Sequence, residues 1–149
     1  NLFDKITAML SVLILLAATL FVIINWGEMP EQIPSHYDFK GQPDAYGGKG
    51  TLIFLMVTGW ALTLAMMILS RFPGMWNTGV ERTPANEAAI NRIIRDLISF
   101  MELIIAGDFA YMMIVPVIGT NMGAWSMPVF LVLIFGTIIV TVVRLIRNR

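Results

Sequence analysis

The sequence predicts an all-α integral membrane protein with four transmembrane helices and one ordered external loop between the first two. Three observations carry that expectation. Hydrophobic residues make up 57% of the 149-residue chain and charged residues only 13%, far from the balance of a water-soluble domain. The apolar residues gather into four runs, each near the ~20 residues an α-helix needs to cross ~30 Å of hydrocarbon. Charge is also sorted along the chain, with arginines gathered in two places.

The first run, Ile6 to Ile24, spans 19 residues without a charge. It exceeds the 7–15 residue apolar core of a cleaved signal peptide, so a retained anchor over about 6–24 is expected. Asn1 is not a natural start, and further residues are expected upstream. Loop 25–50 follows. The second run, Thr51 to Leu69, is again 19 residues long and uncharged. Arg71-Phe72-Pro73-Gly74 ends it, because proline and glycine cannot continue a helix.

Thr83 followed by Pro84 reads as a helix start, threonine as the cap and proline at the first helical position. Beyond it, Ile90, Ile93, Ile94, Leu97, Ile98 and Met101 mark one helical face. An amphipathic segment over 84–96 is therefore expected to run on, unbroken, into a third span over about 97–118. Its Arg92 and Arg95 are placed among anionic headgroups, with docking of a cytosolic protein as the alternative. The fourth span, about 127–146, leads into Arg147 and Arg149. No internal repeat, low-complexity tract or soluble domain interrupts this plan, so residues 1–149 form a single membrane module.

Orientation follows from the arginines. Four lie between Ser70 and Asp96 and three in the C-terminal tail, whereas Gly119 to Ser126 carries no charge. The positive-inside rule puts the arginine-bearing segments and both termini in the cytoplasm of a multi-pass cell-membrane protein, and loop 25–50 outside. Trp26, Trp76 and Trp125 fall near span ends, where indole favours the headgroup layer. Trp60 lies mid-span and is expected to pack against another helix. Met56, Met66, Met67, Met112 and Met113 are read as fillers of helix interfaces.

The chain has no cysteine and one histidine, His36. Disulfides, thiolate nucleophiles and cysteine-based metal sites are excluded. No basic-aromatic patch is present, so nucleic acid is not a partner; no cofactor is expected either.

Two acids lie inside the third span. A carboxylate at mid-membrane costs about 2.5–3.5 kcal/mol on insertion scales, so such residues generally face the protein interior. Glu102 lies seven residues beyond Arg95 on the same face, which suggests a snorkelling ion pair. Asp108 is deeper, beside Gly107 and the small pair Ala106 and Ala110, which would let a neighbouring helix approach. Tyr111 is placed to donate to its carboxylate. A proton or cation relay and a structural buried acid are the two readings; a second copy of the chain enclosing Asp108 is a third, so a homo-oligomer is considered.

Loop 25–50 carries the remaining chemistry. Pro30, Pro34 and Pro43 restrict its backbone, and Gly41-Gln42-Pro43-Asp44 is turn chemistry with Asp44 as the expected cap. Tyr37, Phe39 and Tyr46 supply surface to pack on the helix ends. His36 with Asp38, Asp44 or Glu31 could bind a metal or act as an acid–base pair, but one histidine falls short of the usual zinc ligand sets. The plainer reading is that His36 hydrogen-bonds the loop's own carboxylates and sets its shape.

The pattern Pro30, Ile33, Pro34, His36, Tyr37, Gly41, Pro43, Asp44, Tyr46 and Lys49 resembles the hallmark loop of a bacterial membrane domain of unknown function. That domain forms the first part of the SdpI family, immunity proteins against a sporulation-delaying toxin. The resemblance implies a loop held between two spans, in proteins that protect against a toxin and sequester a repressor at the membrane; this chain is read as shorter, without their C-terminal membrane portion. The expected function is a small receptor or immunity-like protein for an external peptide or envelope-stress ligand. His36, Tyr37, Asp44 and Lys49 would shape the contact surface. A transporter subunit using Asp108 and Glu102 is the alternative, and a membrane metal-dependent hydrolase the next; no catalytic residue is assigned.

Overall fold

A computed structural model describes residues 2–149. It contains four helices, each long and apolar enough to cross a membrane, and a two-stranded antiparallel hairpin. Helix α1 covers Leu2–Asn25, β1 Gln32–Tyr37, β2 Pro43–Gly48, α2 Gly50–Leu69, α3 Glu87–Ile118 and α4 Ser126–Ile146. The all-α membrane fold stands as expected. The loop between the first two spans is more regular than turn chemistry alone indicates.

Helix α3 is the axis of the bundle, and α1, α2 and α4 each pack on it. Its 32 residues run without a break from the amphipathic segment into the span. It starts later than Thr83-Pro84 suggests. The Thr83 carbonyl accepts the amides of Asn86 and Glu87, and Asn86 Oδ1 accepts the Thr83 N–H at 2.8 Å. These bonds close a separate turn, so Asn86 rather than Thr83 occupies the N-cap position, and its side chain makes no capping bond. Helix α1 starts before its apolar run, with Asp4 in the first turn, where a negative charge favours the amide-rich helix end.

Two apolar clusters hold the helices together. Near the hairpin, Leu15, Ala18 and Val22 of α1 meet Ala106, Ala110 and Met113 of α3, with Ile33 and Leu52 closing the top. At the other end Ile90, Ile93, Ile94 and Ile98 surround Trp76 and Leu145. Trp60 packs between helices as expected, its indole N–H donating to Thr19 Oγ1 at 3.1 Å. Close helix approach occurs at Gly59, where an added Cβ would lie 3.0 Å from Phe109 Cβ; nothing lies within 4 Å of a Cβ at Gly107. Gly107 is therefore not the point of contact, while Ala106 and Ala110 are buried. Of the methionines, Met113 is core and Met56 and Met66 pack on the clusters.

Residues 70–86 are stitched beneath α2. Trp76 Nε1 donates to the Leu69 carbonyl at 2.9 Å, and Arg82 Nη2 donates to the carbonyls of Pro73 and Trp76.

Candidate functional site beneath the hairpin

The hairpin is built around Asp38. Its amide donates to the Gln42 carbonyl and its carbonyl accepts from Gly41. Its Oδ1 accepts the amides of Lys40 at 2.8 Å and Gln42 at 2.9 Å. Asp38, not Asp44, therefore caps the turn. The signal was present: Asp at the first and Gly at the fourth position is the signature of a type I turn, and Asp38-Phe39-Lys40-Gly41 has it.

Asp44 is left free for His36, whose Nδ1 lies 2.6 Å from Asp44 Oδ1. The strand register is irregular on both sides of His36, which pairs with Ala45 rather than Asp44. Such a bulge re-aims side chains, and here it follows Pro34, which has no N–H to offer the ladder. The pair sits at the surface, with side chains 70% and 47% exposed. It shapes the rim of the site and reaches nothing deeper.

Lys49 Nζ donates to the Trp26 carbonyl at 3.1 Å and lies 3.5 Å from Glu31 Oε1. It thus ties the end of α1 to the hairpin and to the start of α2. Pro34 pairs with Tyr46 and Tyr37 with Pro43 across the hairpin; the Tyr46 ring is exposed.

The tip of the hairpin is docked on the α3–α4 connection. Gly41 adopts φ +73°, and a Cβ there would lie 2.5 Å from the Gly123 nitrogen. Its carbonyl accepts the Met122 amide at 2.9 Å. On the other side of Met122, its carbonyl accepts the Tyr111 hydroxyl, and the Tyr111 ring packs against Trp125 with centroids 5.5 Å apart. Tyr111 therefore serves this cap rather than the Asp108 carboxylate. Nothing in single-sequence patterning links Gly41 to Met122 across eighty positions.

Between hairpin, α2, α3 and the start of α4 lies a cleft of about 380 Å³. His36, Tyr37 and Asp38 line it on the hairpin side and Asp108 on α3. Phe54, Leu55, Met112, Met127 and Phe130 make up much of its apolar wall. The Tyr37 hydroxyl is buried without a hydrogen-bond partner. Burial, followed by the neighbouring Tyr46 and Tyr111, pushes the Tyr37 phenol up to about 12. The structure thus brings His36, Tyr37, Gly41 and Pro34 into one site with Asp108.

Glu102 belongs elsewhere. At the opposite end a second cavity, about 400 Å³, is lined by Asp4, Lys5, Arg71, Arg95, Ser99 and Glu102. Glu102 is 2% exposed, and its Oε1 has no hydrogen-bond partner. The expected Arg95–Glu102 ion pair is not formed: Arg95 Nε lies 4.0 Å from Asp4 Oδ2, and its guanidinium stands 6.0 Å over the Trp76 ring. Asp4, near the start of α1, outcompetes an acid two turns further along α3. Arg95 is thus drawn into the helix interface, while Arg92 remains exposed. Among the described residues no group of three or more His, Asp and Glu could hold a metal ion.

Residues 13–59 match the family model described as "Domain of unknown function (DUF1648)". That stretch contains the second half of α1, the whole hairpin and the first half of α2. No curated protein and no solved structure matches the chain.

Proposed function

We propose that this chain is a small membrane receptor or immunity-like protein, recognising an external peptide or envelope-stress ligand in the cleft beneath the hairpin. One observation carries the reading: a single cavity joins the His36 hairpin to Asp108 on the central helix. A ligand seated there touches at once the loop that faces outward by the charge rule and the helix on which the other three pack. The match over residues 13–59 coincides with this end of the molecule, and the Pro30-to-Lys49 pattern supports kinship with the SdpI-type immunity proteins.

In this reading His36 and Asp44 stiffen the rim, Lys49 anchors the hairpin to both helices, and the apolar walls hold the ligand. The test is peptide binding, or protection of cells from a pore-forming peptide toxin, with Met112→Trp filling the cleft. Binding or protection should fall at least about tenfold, the loss of a ligand-sized contact, while His36→Ala and Asp44→Ala should weaken it less. Unchanged behaviour of inserted Met112→Trp protein would remove the cleft from the mechanism.

A second reading has its own support. Asp108 ends one cavity and Glu102 another on the opposite side of the bundle; six residues of helix separate them, about 9 Å of rise. Opposed cavities ending in acids on one helix suit a proton or cation path. In that case Asp108→Asn abolishes proton flux in proteoliposomes, whereas the receptor reading requires no flux from either protein.

A further inference from the structure

The charge pattern of the cleft says what kind of ligand it takes. No lysine or arginine lines it; its ionisable residues are His36, Tyr37, Asp38 and Asp108. Two of these are occupied by the hairpin itself, His36 with Asp44 and Asp38 with the turn amides. Lys49 turns away to Trp26 and Glu31. Asp108 stands ten residues before the end of α3, about 15 Å down the helix, and no hydrogen bond or ion pair within the described residues engages its carboxylate. A carboxylate at that depth lacks its counter-charge.

The walls favour a particular counter-charge. Phe54, Phe130 and Tyr37 present aromatic surface, and aromatic faces attract cations as well as apolar stems.

We propose that the cleft takes a cationic amphipathic group: a protonated amine or guanidinium on an apolar stem, as carried by a basic side chain of an external peptide. The inference rests on reading the cleft as an outward-facing binding site. The stem lies along Phe54, Met112 and Phe130, and the cation meets Asp108. Anionic peptides are turned away by the unpaired Asp108.

The experiment uses the whole chain in phosphatidylcholine nanodiscs and three fluorescent acetylated peptides, Phe-Leu-Lys-amide, Phe-Leu-norleucine-amide and Phe-Leu-Glu-amide. The lysine probe should bind at least about tenfold more tightly than the norleucine probe, the scale of one partly desolvated charge pair, with the glutamate probe weakest. Asp108→Asn should erase that preference, and Asp108→Glu, which keeps the charge, should retain it. Equal binding of the lysine and norleucine probes, abolished for both by Met112→Trp, overturns the cationic preference and leaves the receptor reading standing. Binding indifferent to Met112→Trp, or absent for all three probes, overturns both.

Discussion

The two ends of this bundle are closed by different physics. At the hairpin end, closure runs through the backbone: Gly41 abuts Gly123, its carbonyl takes the Met122 amide, and Asp38 folds the turn from within. At the opposite end it runs through side-chain charge: Asp4 beside Arg95, and Arg144 Nη1 at 3.0 Å from Asp96 Oδ2. Backbone closure tolerates one residue type at its tightest point and is indifferent to salt. Charge closure tolerates many residue types and is weakened by salt. Backbone closure gives the cleft beneath the hairpin fixed walls.

The sharpest way to break this contrast is Gly41→Ala. A left-handed backbone costs a non-glycine residue about 1–2 kcal/mol, and the new Cβ would meet main-chain atoms of Gly123 that cannot rotate aside. Hairpin docking should weaken by about 2 kcal/mol or more, with the helices intact. Hydrogen exchange at the Met122 amide measures it directly, since that amide donates to Gly41. Protection as strong as in the wild type would mean that the backbone contact does not hold the cap.

A smaller effect is expected from Arg144→Gln. The Arg144–Asp96 pair is half exposed on the arginine side, so its loss should cost about 0.5–1 kcal/mol. The cost should shrink in 1 M salt, where screening extends over only about 3 Å. Thermal unfolding in detergent across a salt series reads this, with Gly41→Ala as the salt-independent control. A salt-independent deficit in Arg144→Gln would erase the distinction between the two ends.

What could be read from the chain alone divides along a similar line. The spans were legible because hydrophobic length is a local property, and α3 ran from amphipathic segment to span as its isoleucine spacing indicated. The His36–Asp44 bond was among the partners that spacing allowed. The hairpin was not legible as strands: it buries Ile33 but little else, holds two prolines, and so lacks the alternation that marks a half-buried sheet. Contacts between distant segments were also hidden. Glu102 looked like the partner of Arg95 because they share a helix face, yet Asp4 arrives from another helix. Tyr111 looked like a donor to Asp108 because it lies three residues on, yet Met122 offers a carbonyl at the cap. In each case tertiary geometry supplied a partner that spacing could not reveal.

The gentlest probe of the hairpin end is pH, acting through Tyr37. Burial favours its neutral form, raising the phenol from 10.0 to about 12 in the folded protein. A group with a raised folded pKa adds stability that is fully present below the unfolded value. That contribution should therefore be constant up to about pH 10 and be lost as pH climbs from there through about 12. Ultraviolet absorbance should show a phenolate transition near pH 12 that disappears in Tyr37→Phe, and protection of the Met122 amide, relative to base-catalysed intrinsic exchange, should fall over the same interval in the wild type alone. If the late transition survives in Tyr37→Phe, the buried Tyr37 hydroxyl is not the group being titrated. If it vanishes while protection of that amide stays constant, Tyr37 is buried but mechanically separate from the cap, and the wall of the cleft must owe its rigidity to Gly41 and Asp38 alone.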